Sequence, residues 1–446
     1  MVPGTFERER CQARSTAARR QVAYGGPMTA PTVRTRLLAL LAAFGLLAAA
    51  CSGDDTTTTD AATTTTEAPA AETTTEAETT TTAATSEVVE ETTTTTEAPA
   101  DPFDEITETV QAFVDNAGLE GAGLIIVERD AGVVYEEHFG AFDADRISMI
   151  ASASKMISAG VLLRLQEDGL LDINAPVEGQ VDWAVGNPGI TPAQLVSNSS
   201  GLVGLGPNLL YPPYLCQWGV PNTLQECGQA VFTSADDDAD QVPPDSEFRY
   251  GGAQWQVAGA VAETVSGKSW DELIDEIYVQ PCGVDSLGYI SLGAVLTGAP
   301  GYPTAFAGDP DGVTPSENPN IEGGAHITAG DYGKLLLMHL RGGECDGNPV
   351  LSQASLDTMH ADRIAATYGG DAGFGDTGYG MGWWVDRETG RISDGGAWGA
   401  VPWLDLDDGY GAYVIVEDDS STGQALKDEI EELDPVDFGV KSPSLV

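Results

Sequence analysis

Lysine and histidine are scarce in this sequence. The chain has 446 residues, of which 20 are Lys or Arg and 4 are His, against 69 Asp or Glu, and its formal net charge is −49. A chain this acidic repels nucleic acid and bare anionic membranes. The composition therefore predicts no nucleic-acid partner and a strongly acidic, hydrated surface.

Motifs for nucleotides and catalytic metals are also missing. The sequence contains no G-x-x-x-x-G-K-S and no H-E-x-x-H. No histidine lies in a G-x-S-x-G or similar frame, which disfavours a Ser-His-Asp triad. We expect no cofactor and no metal, and we expect structural roles for most of the histidines, which are His138, His326, His339 and His360.

Cysteine is sparse, with six residues in the whole chain. Two of them, Cys11 and Cys51, lie in the N-terminal segment discussed next, and the others are Cys216, Cys227, Cys282 and Cys345. An even number of cysteines in an exported domain suggests two disulfides. Four cysteines allow three pairings, and the sequence leaves the choice open. A zinc site is disfavoured because no Cys-x-x-Cys pair or nearby histidine accompanies them.

The first fifty residues have the features of an export signal. A short basic stretch from Met28 precedes an apolar run over 37–50, which is too short to span a bilayer but suits a signal peptide. The run ends at Leu47-Ala-Ala-Ala-Cys51, which resembles a bacterial lipobox and so implies lipidation of Cys51 and removal of everything before it. An ordinary cleaved secretion signal is the alternative. We therefore predict a signal peptide over 1–50, with 28–50 as its functional part.

Residues 51–101 are composed almost entirely of Thr, Ala and Glu, with a few Pro and no aromatic residue. Such a segment cannot bury enough apolar surface to offset the entropy lost on ordering. We predict a disordered tether here, which would hold a folded domain, residues 102–446, away from the membrane.

The pattern of the folded part predicts an α+β fold. Strands are predicted near both ends of the domain, at 121–127, 133–139, 379–385, 401–406 and 411–416. Helices at 106–117 and 423–433 flank them. This order fits one antiparallel sheet covered by helices from both chain ends, with the mainly helical, loop-rich middle as a second lobe. Active sites tend to lie in the cleft between two such lobes.

The strongest candidate for catalysis is an S-x-x-K motif, Ser152-Ala-Ser-Lys155, at the start of a predicted amphipathic helix over 152–169. A helix N-terminus favours developing negative charge, and Lys155 projects from nearly the same face as Ser152. Because its neighbours are apolar, we expect burial to lower the pKa of Lys155 and make it a base toward Ser152. The alternative is an ordinary surface Ser and Lys, which the scarcity of lysine argues against.

Four segments together resemble the penicillin-binding proteins, the class C β-lactamases and the esterases related to them. The segment from Ile147 through the S-x-x-K motif resembles the family's serine helix, and LVSNSSGL at 195–202 resembles its LLTHTSGL stretch. FRYGG at 248–252 resembles the Y-x-N motif, and DGGAW at 394–398 the Lys-Thr-Gly or His-x-Gly region. The segments follow the family's order over nearly all of 102–446. The resemblance implies a β-lactamase/transpeptidase-like fold.

The same resemblance implies a role for each matching residue. Ser152 would form an acyl-enzyme, with Lys155 and Tyr250 exchanging protons with the serine, the leaving group and water. The amides of Ser152 and Ala397 would form the oxyanion hole. The implied substrate-binding positions are Gly252, Asp394, Gly395, Gly396, Trp398 and His326.

Two positions depart from the family pattern. Gly252 stands where the family has Asn, and Asp394 stands where it has Lys or His. An anion at 394 would repel the carboxylate carried by penicillins, cephalosporins and D-Ala-D-Ala peptides. We therefore expect an esterase or amidase that acts on a neutral acyl substrate, small or derived from the cell wall.

Two other functions remain open. The first is a β-lactamase or D-alanyl-D-alanine carboxypeptidase in which Arg391 supplies the missing cation. The second is a catalytically inactive relative that binds cell-wall material at the end of its tether. In each case the lipid anchor at Cys51 would place the domain at the outer face of the bacterial cytoplasmic membrane or on the cell surface.

Overall fold

The computed structural model describes residues 102–206, 210–219, 222–296, 301–373 and 375–433. The predicted signal peptide, the tether and Cys51 lie outside these residues. The strands of the described part are β1 (Gly121–Glu128), β2 (Gly132–Gly140), β3 (Ser148–Met149), β4 (Gly288–Tyr289), β5 (Ala325–Ile327), β6 (Glu344–Cys345), β7 (Asn348–Pro349), β8 (Thr377–Tyr379), β9 (Trp384–Asp386), β10 (Ile392–Ser393), β11 (Val401–Asp405) and β12 (Tyr410–Ile415).

The α-helices of the same part are α1 (Asp104–Ala117), α2 (Lys155–Glu167), α3 (Pro192–Val196), α4 (Leu224–Phe232), α5 (Ala253–Ser266), α6 (Trp270–Ile274), α7 (Gln280–Cys282), α8 (Ala329–Leu340), α9 (Gln353–His360), α10 (Arg363–Tyr368) and α11 (Ser420–Glu432). A 3-10 turn, Ala151–Ser154, leads directly into α2. No helix among the described residues is long and apolar enough to cross a membrane.

The main sheet has seven strands in the order β2-β1-β12-β11-β10-β9-β8. Its neighbouring strands run antiparallel, and the chain ends meet where β1 pairs with β12, with Leu124 opposite Val414. The α+β fold with a sheet built from both chain ends is therefore confirmed. Residues 379–385, predicted as one strand, instead form the end of β8, a turn and the start of β9, because Gly382 adopts a φ of +83°.

Helices cover both faces of this sheet. On one face α1 and α11 pack together through Ile106, Val110, Leu426 and Ile430, which are buried with the outward-facing side chains of β1 and β12. On the other face lie α8 and α2, whose apolar side chains join the large core shared with the second lobe. Burial of α2 is nearly complete, so its first turn is fixed between the sheet and the second lobe.

The second lobe consists of the segments between α2 and β5, chiefly α3 to α7. Here α4 begins at a capping box, in which the Thr223 side chain accepts the Glu226 amide and the Glu226 side chain accepts the Thr223 amide. Two disulfides form, one between Cys216 and Cys227 and the other between Cys282 and Cys345. The structure thus selects one of the three pairings that the sequence left open.

Candidate active site

Ser152 lies on a strained turn that several neighbours hold in place. Its preceding residue, Ala151, has a φ of +46°, a conformation that costs non-glycine residues roughly 1–3 kcal/mol and clusters at functional sites. The hydroxyl of Tyr332 donates to the carbonyl of Ala153 at 3.0 Å, and that of Tyr289 to the carbonyl of Ser154 at 3.1 Å. The turn is therefore rigid before any substrate arrives.

Lys155 is fully buried, and its ammonium contacts the serine. Its Nζ donates to Ser152 Oγ at 3.0 Å and to the backbone carbonyl of Glu322 at 3.0 Å. Its Nζ also lies 3.3 Å from Oε2 of Glu322 and 4.7 Å from the ring centroid of Tyr250. The lysine thus connects the serine to the tyrosine and to a carboxylate.

The pKa of Lys155 differs from the sequence-based expectation. Burial does oppose the ammonium, as expected, but interactions with Tyr250, Glu322 and Asp394 outweigh it and raise the pKa of Lys155 above its usual value. The sequence could not supply this result, because the two carboxyl groups come from segments far along the chain. At neutral pH Lys155 is therefore an ammonium.

Tyr250 is held beside Lys155 by its own backbone and by aromatic packing. Its carbonyl accepts the amide of Leu205 at 2.7 Å, and its ring stacks on Trp384 with centroids 5.5 Å apart. Burial raises the pKa of the Tyr250 phenol, while the charge of Lys155 opposes that rise. The site at rest therefore contains a neutral phenol beside an ammonium.

Asn198, in the segment LVSNSSGL, fixes the loop that carries Tyr250. Its Oδ1 accepts hydrogen bonds from Gln254 Nε2 at 2.8 Å and from Trp255 Nε1 at 3.2 Å, and its backbone carbonyl accepts the amide of Arg249 at 2.7 Å. Asn198 is completely buried. Its side chain therefore serves the site by orienting the tyrosine loop.

The third segment packs directly onto the serine turn. A β-carbon at Gly396 would lie 2.1 Å from the carbonyl oxygen of Ile150, so only glycine allows this approach. The next amide, that of Ala397, has no hydrogen-bond partner among the described residues. Gly395 faces open space, since a β-carbon there would meet nothing within 4 Å. The backbone at Gly396 thus lies against Ile150 and Ala153, on either side of Ser152. The oxyanion hole of the Ser152 and Ala397 amides stays a prediction.

Asp394 does not face a substrate. Its side chain is completely buried, and Oδ2 accepts the backbone amide of Met156 at 3.3 Å in the first turn of α2. Burial raises the pKa of the Asp394 carboxyl well above its usual range, although Lys155 and the helix amides oppose the rise. The expectation that Asp394 contacts or repels substrate is therefore corrected, because the short side chain turns inward toward the helix N-terminus.

His326 and Trp398, two further predicted substrate contacts, are also buried. His326 lies in β5, where its Nδ1 is 3.1 Å from the carbonyl oxygen of Ser286. Burial lowers the pKa of His326 to about 4. The Trp398 ring is 5% exposed and packs in an apolar cluster with Ala151 and Phe306. Both side chains support the turn and strands around the site rather than forming its open surface.

Among the residues that the structure describes, Lys155 is the cation that contacts the serine. Arg391, considered above as a substitute for the missing lysine, is bound by Asp405 at 2.9 Å and Glu431 at 3.4 Å. None of the other lysines and arginines in the described segments contacts Ser152, Lys155 or Tyr250. No group of three His, Cys, Asp or Glu side chains in the same segments is arranged to hold a metal ion.

Comparison with known proteins identifies the family. A family model described as Beta-lactamase matches residues 106–435, well over half of the chain. This chain belongs to the β-lactamase family. The resemblance inferred from the sequence segments is therefore confirmed.

The chain is similar to a penicillin-binding protein in sequence and to further proteins in fold. Penicillin-binding protein 4 of Amycolatopsis lactamdurans is 25% identical over 334 residues, which are 70% of this chain and 84% of that protein. The penicillin-binding protein homologue of Pyrococcus abyssi superposes with a TM-score of 0.58 at 19% identity, over 74% of this chain and 76% of that one. EstCE1, a hydrolase with promiscuous acyltransferase activity, superposes with a TM-score of 0.60 at 18% identity, over 75% of this chain and 98% of EstCE1. The two structures confirm the β-lactamase/transpeptidase-like fold.

The β-lactamase-family motifs did not lead us to one residue of the site, Glu322. It lies between the second and third motifs and belongs to neither, and only its contact with Lys155 makes it part of the site. The glycine at 252 was the available signal, since a missing side chain in a packed site leaves room that another group must fill.

Proposed function

We propose that this protein is a serine hydrolase that transfers the acyl group of a neutral ester to Ser152 and then to water. The observation that carries the proposal is the contact of one buried ammonium, Lys155, with both Ser152 Oγ at 3.0 Å and the ring of Tyr250 at 4.7 Å. A lysine on the surface of a helix would not be fully buried against a serine hydroxyl and a tyrosine ring in this way. The arrangement is that of an activated nucleophile with a proton-transfer partner.

In the proposed reaction Ser152 Oγ attacks the acyl carbon. The serine hydroxyl proton passes to Nζ of Lys155, which first releases one of its own protons to a neighbouring carboxylate. The amides of Ser152 and Ala397 donate to the oxyanion that forms. Tyr250 suits the next step, because a neutral phenol can donate a proton to the departing alkoxide. Water then attacks the acyl-enzyme, and the acid is released as the serine regains its proton.

The charges at the site favour a neutral acyl group. Lys155 is the cation in contact with Ser152, and it is already paired with Glu322 at 3.3 Å. A substrate carboxylate would lose its hydration without gaining a partner, which is costly. A neutral acyl substrate is therefore favoured by the pairing of Lys155 with Glu322, and not by repulsion from Asp394, which is buried.

A matched pair of esters tests this proposal. We expect the neutral ester p-nitrophenyl butyrate to be hydrolysed with a kcat/KM about tenfold or more above that of the mono-p-nitrophenyl ester of glutaric acid, which ends in a carboxylate. The Ser152→Ala variant serves as the background. Equal or reversed preference would contradict the proposed substrate class.

A fluorescent penicillin separates the alternatives. The likeness to Penicillin-binding protein 4 makes a β-lactamase or carboxypeptidase the second candidate, and stable labelling of Ser152 by the penicillin would favour it over an esterase. A folded chain that neither hydrolyses esters nor binds penicillin would instead be an inactive relative that binds cell-wall material.

The proposal places the enzyme outside the cytoplasmic membrane. The lipobox-like sequence ending at Cys51 supports an anchor of two acyl chains, which is stable where one chain is marginal. Growth of an expressing bacterium with an alkyne analogue of palmitate should label the protein, and Cys51→Ser should abolish the label. A labelled Cys51→Ser variant, or an unlabelled parent, would contradict lipidation at this residue.

A further inference from the structure

Gly252 leaves a space that a second residue occupies. A β-carbon at position 252 would lie 1.9 Å from Oε1 and 2.2 Å from Cδ of Glu322. The backbone of Gly252 has a φ of −78°, which any residue can adopt. The Glu322 carboxyl group therefore fills the volume that a side chain at 252 would take, and an added β-carbon would have to displace it.

Glu322 is buried and holds Lys155 through two of its groups. Its side chain is 7% exposed, and Oε2 lies 3.3 Å from Nζ of Lys155. Its backbone carbonyl accepts a hydrogen bond from the same Nζ at 3.0 Å. The ammonium that donates to Ser152 is thus also bound by two groups of a single residue.

Other charged or titratable groups around Lys155 come from two further segments. Tyr250 precedes α5, and Asp394 follows β10. Tyr250 is a neutral phenol at neutral pH, and Asp394 binds the amide of Met156. Glu322 is therefore the carboxyl group in direct contact with the lysine.

We infer that Glu322 is a positioning residue of this site, whose carboxylate holds Lys155 against Ser152 and accepts the proton that Lys155 releases when Ser152 is deprotonated. This inference rests on the proposed hydrolase function. It also explains how Ser152 can be activated at neutral pH, when Lys155 is itself an ammonium and lacks a free electron pair.

The proton transfers balance without another reactant. One N–H proton of Lys155 moves to Oε2 of Glu322, and the Ser152 hydroxyl proton moves to the vacated nitrogen as Oγ bonds to the acyl carbon. The site changes from an ammonium, a carboxylate and a neutral ester to an ammonium, a neutral carboxylic acid and an oxyanion. The leaving alkoxide then takes a proton from Lys155, either directly or through Tyr250, which passes on its own proton and is reprotonated by Lys155. The proton on Glu322 then returns to the lysine.

Direct observation of Lys155 tests the inference. The chain contains only five lysines, at 155, 268, 334, 427 and 441, so NMR of the full chain with ¹³Cε-labelled lysine gives few signals. The signal missing from Lys155→Arg identifies Lys155. We would titrate the wild type, Glu322→Gln and the control Glu317→Gln, which removes the same charge from an exposed residue of the same segment. The rate of Ser152 labelling by a fluorophosphonate would be followed over the same pH range.

We expect Lys155 of the wild type to stay protonated beyond the usual lysine pKa of about 10.4. In Glu322→Gln its midpoint should fall by about one pH unit or more, because the paired charge is gone. In the wild type, the rate of Ser152 labelling should not depend on whether Lys155 has lost its proton. Labelling of Glu322→Gln should be slower at pH 7 and should rise with pH as Lys155 loses its proton. Glu317→Gln should behave as the wild type.

Three results would overturn the inference. The first is an unchanged Lys155 midpoint in Glu322→Gln, and the second is an unchanged pH profile of labelling. The third is a Lys155 in the wild type that loses its proton below the usual lysine pKa, which can be measured even if the variant does not fold. A shifted Lys155 titration in a chain whose Ser152 is never labelled would refute the proposed function itself, and would leave the Lys155–Glu322 pair without a part in acylation.

Discussion

The Asp394 carboxylate accepts the backbone amide of Met156 at 3.3 Å, from a position completely buried behind the serine turn. The free amides at a helix N-terminus favour an acceptor there. Its second oxygen, Oδ1, has no hydrogen-bond partner among the described residues. This aspartate therefore serves the first turn of α2, and the cost of burying its charge appears in the raised pKa of its carboxyl group.

We predict that Asp394→Asn stabilises the protein as the pH rises. Well below the unfolded-state pKa of about 3.9, both folded and unfolded wild type hold the proton, so ionisation of Asp394 makes no difference between the two proteins. Above it the unfolded state ionises first, so the wild type loses about 1.4 kcal/mol per pH unit relative to Asn until the folded-state pKa is reached. Urea unfolding between pH 4 and 8 measures this difference. A constant difference, equal to that of the exposed control Asp407→Asn, would contradict the prediction.

Gly252→Ala should be strongly destabilising, because its β-carbon would displace Glu322 and also lie 2.4 Å from Oε1 of Gln217. Combining it with Glu322→Ala should recover part of the loss, with a coupling energy of about 1 kcal/mol or more. The control is Gly395→Ala, where the added carbon meets nothing within 4 Å. Urea unfolding of the single and double variants gives the coupling, and additive effects would show that Glu322 does not fill the space at 252.

Buried histidines should make the domain sensitive to acid. Burial lowers the pKa of His326 and of His360 to about 4. Between the usual value of about 6.5 and pH 4 the unfolded state binds more protons, so stability is complete above 6.5 and falls as the pH decreases. His326 alone would account for up to about 3 kcal/mol over this range. We expect His326→Gln to flatten the pH dependence of urea unfolding, and an unchanged slope would contradict this assignment.

The two disulfides should contribute unequally to stability. The cysteines of the pair Cys282–Cys345 are 63 residues apart in sequence and those of Cys216–Cys227 are 11 apart, so the first restricts the unfolded chain more. Replacing both cysteines of a pair by serine should cost about 4 kcal/mol for the longer loop and about 3 kcal/mol for the shorter one. Urea unfolding of the two double variants decides the order. A larger loss from the shorter loop would contradict the loop-entropy explanation.

Local patterns predicted much of the fold. The bounds of α1, β1, β2 and β12 agree with the sequence prediction to within two residues, because their apolar periodicity matches the face they bury. The helices α9 and α10 were missed, since short helices in a loop-rich region give little periodicity. For α4, the signal was the capping box Thr223-x-x-Glu226, which we did not use.

The site was predictable only where one segment carries the chemistry. Ser152 and Lys155 share a helical turn, so spacing alone places them together. The inward orientation of the Asp394 side chain and the contact of Glu322 with Lys155 depend on how distant segments pack, which no local pattern encodes. The predicted fall in the pKa of Lys155 was wrong for the same reason, since burial was visible in the sequence and the partner charges were not.

Labelling of Ser152 tests the central claim most directly. Purified protein would be treated with a fluorophosphonate, and the modified peptide identified by mass spectrometry, alongside Ser152→Ala and Ser154→Ala. Ser154 is the matched control, because its hydroxyl donates to the carbonyl of Ala151 at 2.6 Å and is not directed at Lys155. We predict one adduct on Ser152, which is lost in Ser152→Ala and retained in Ser154→Ala. A folded wild type that carries no adduct, or an adduct that survives in Ser152→Ala, would contradict a serine hydrolase built on Ser152.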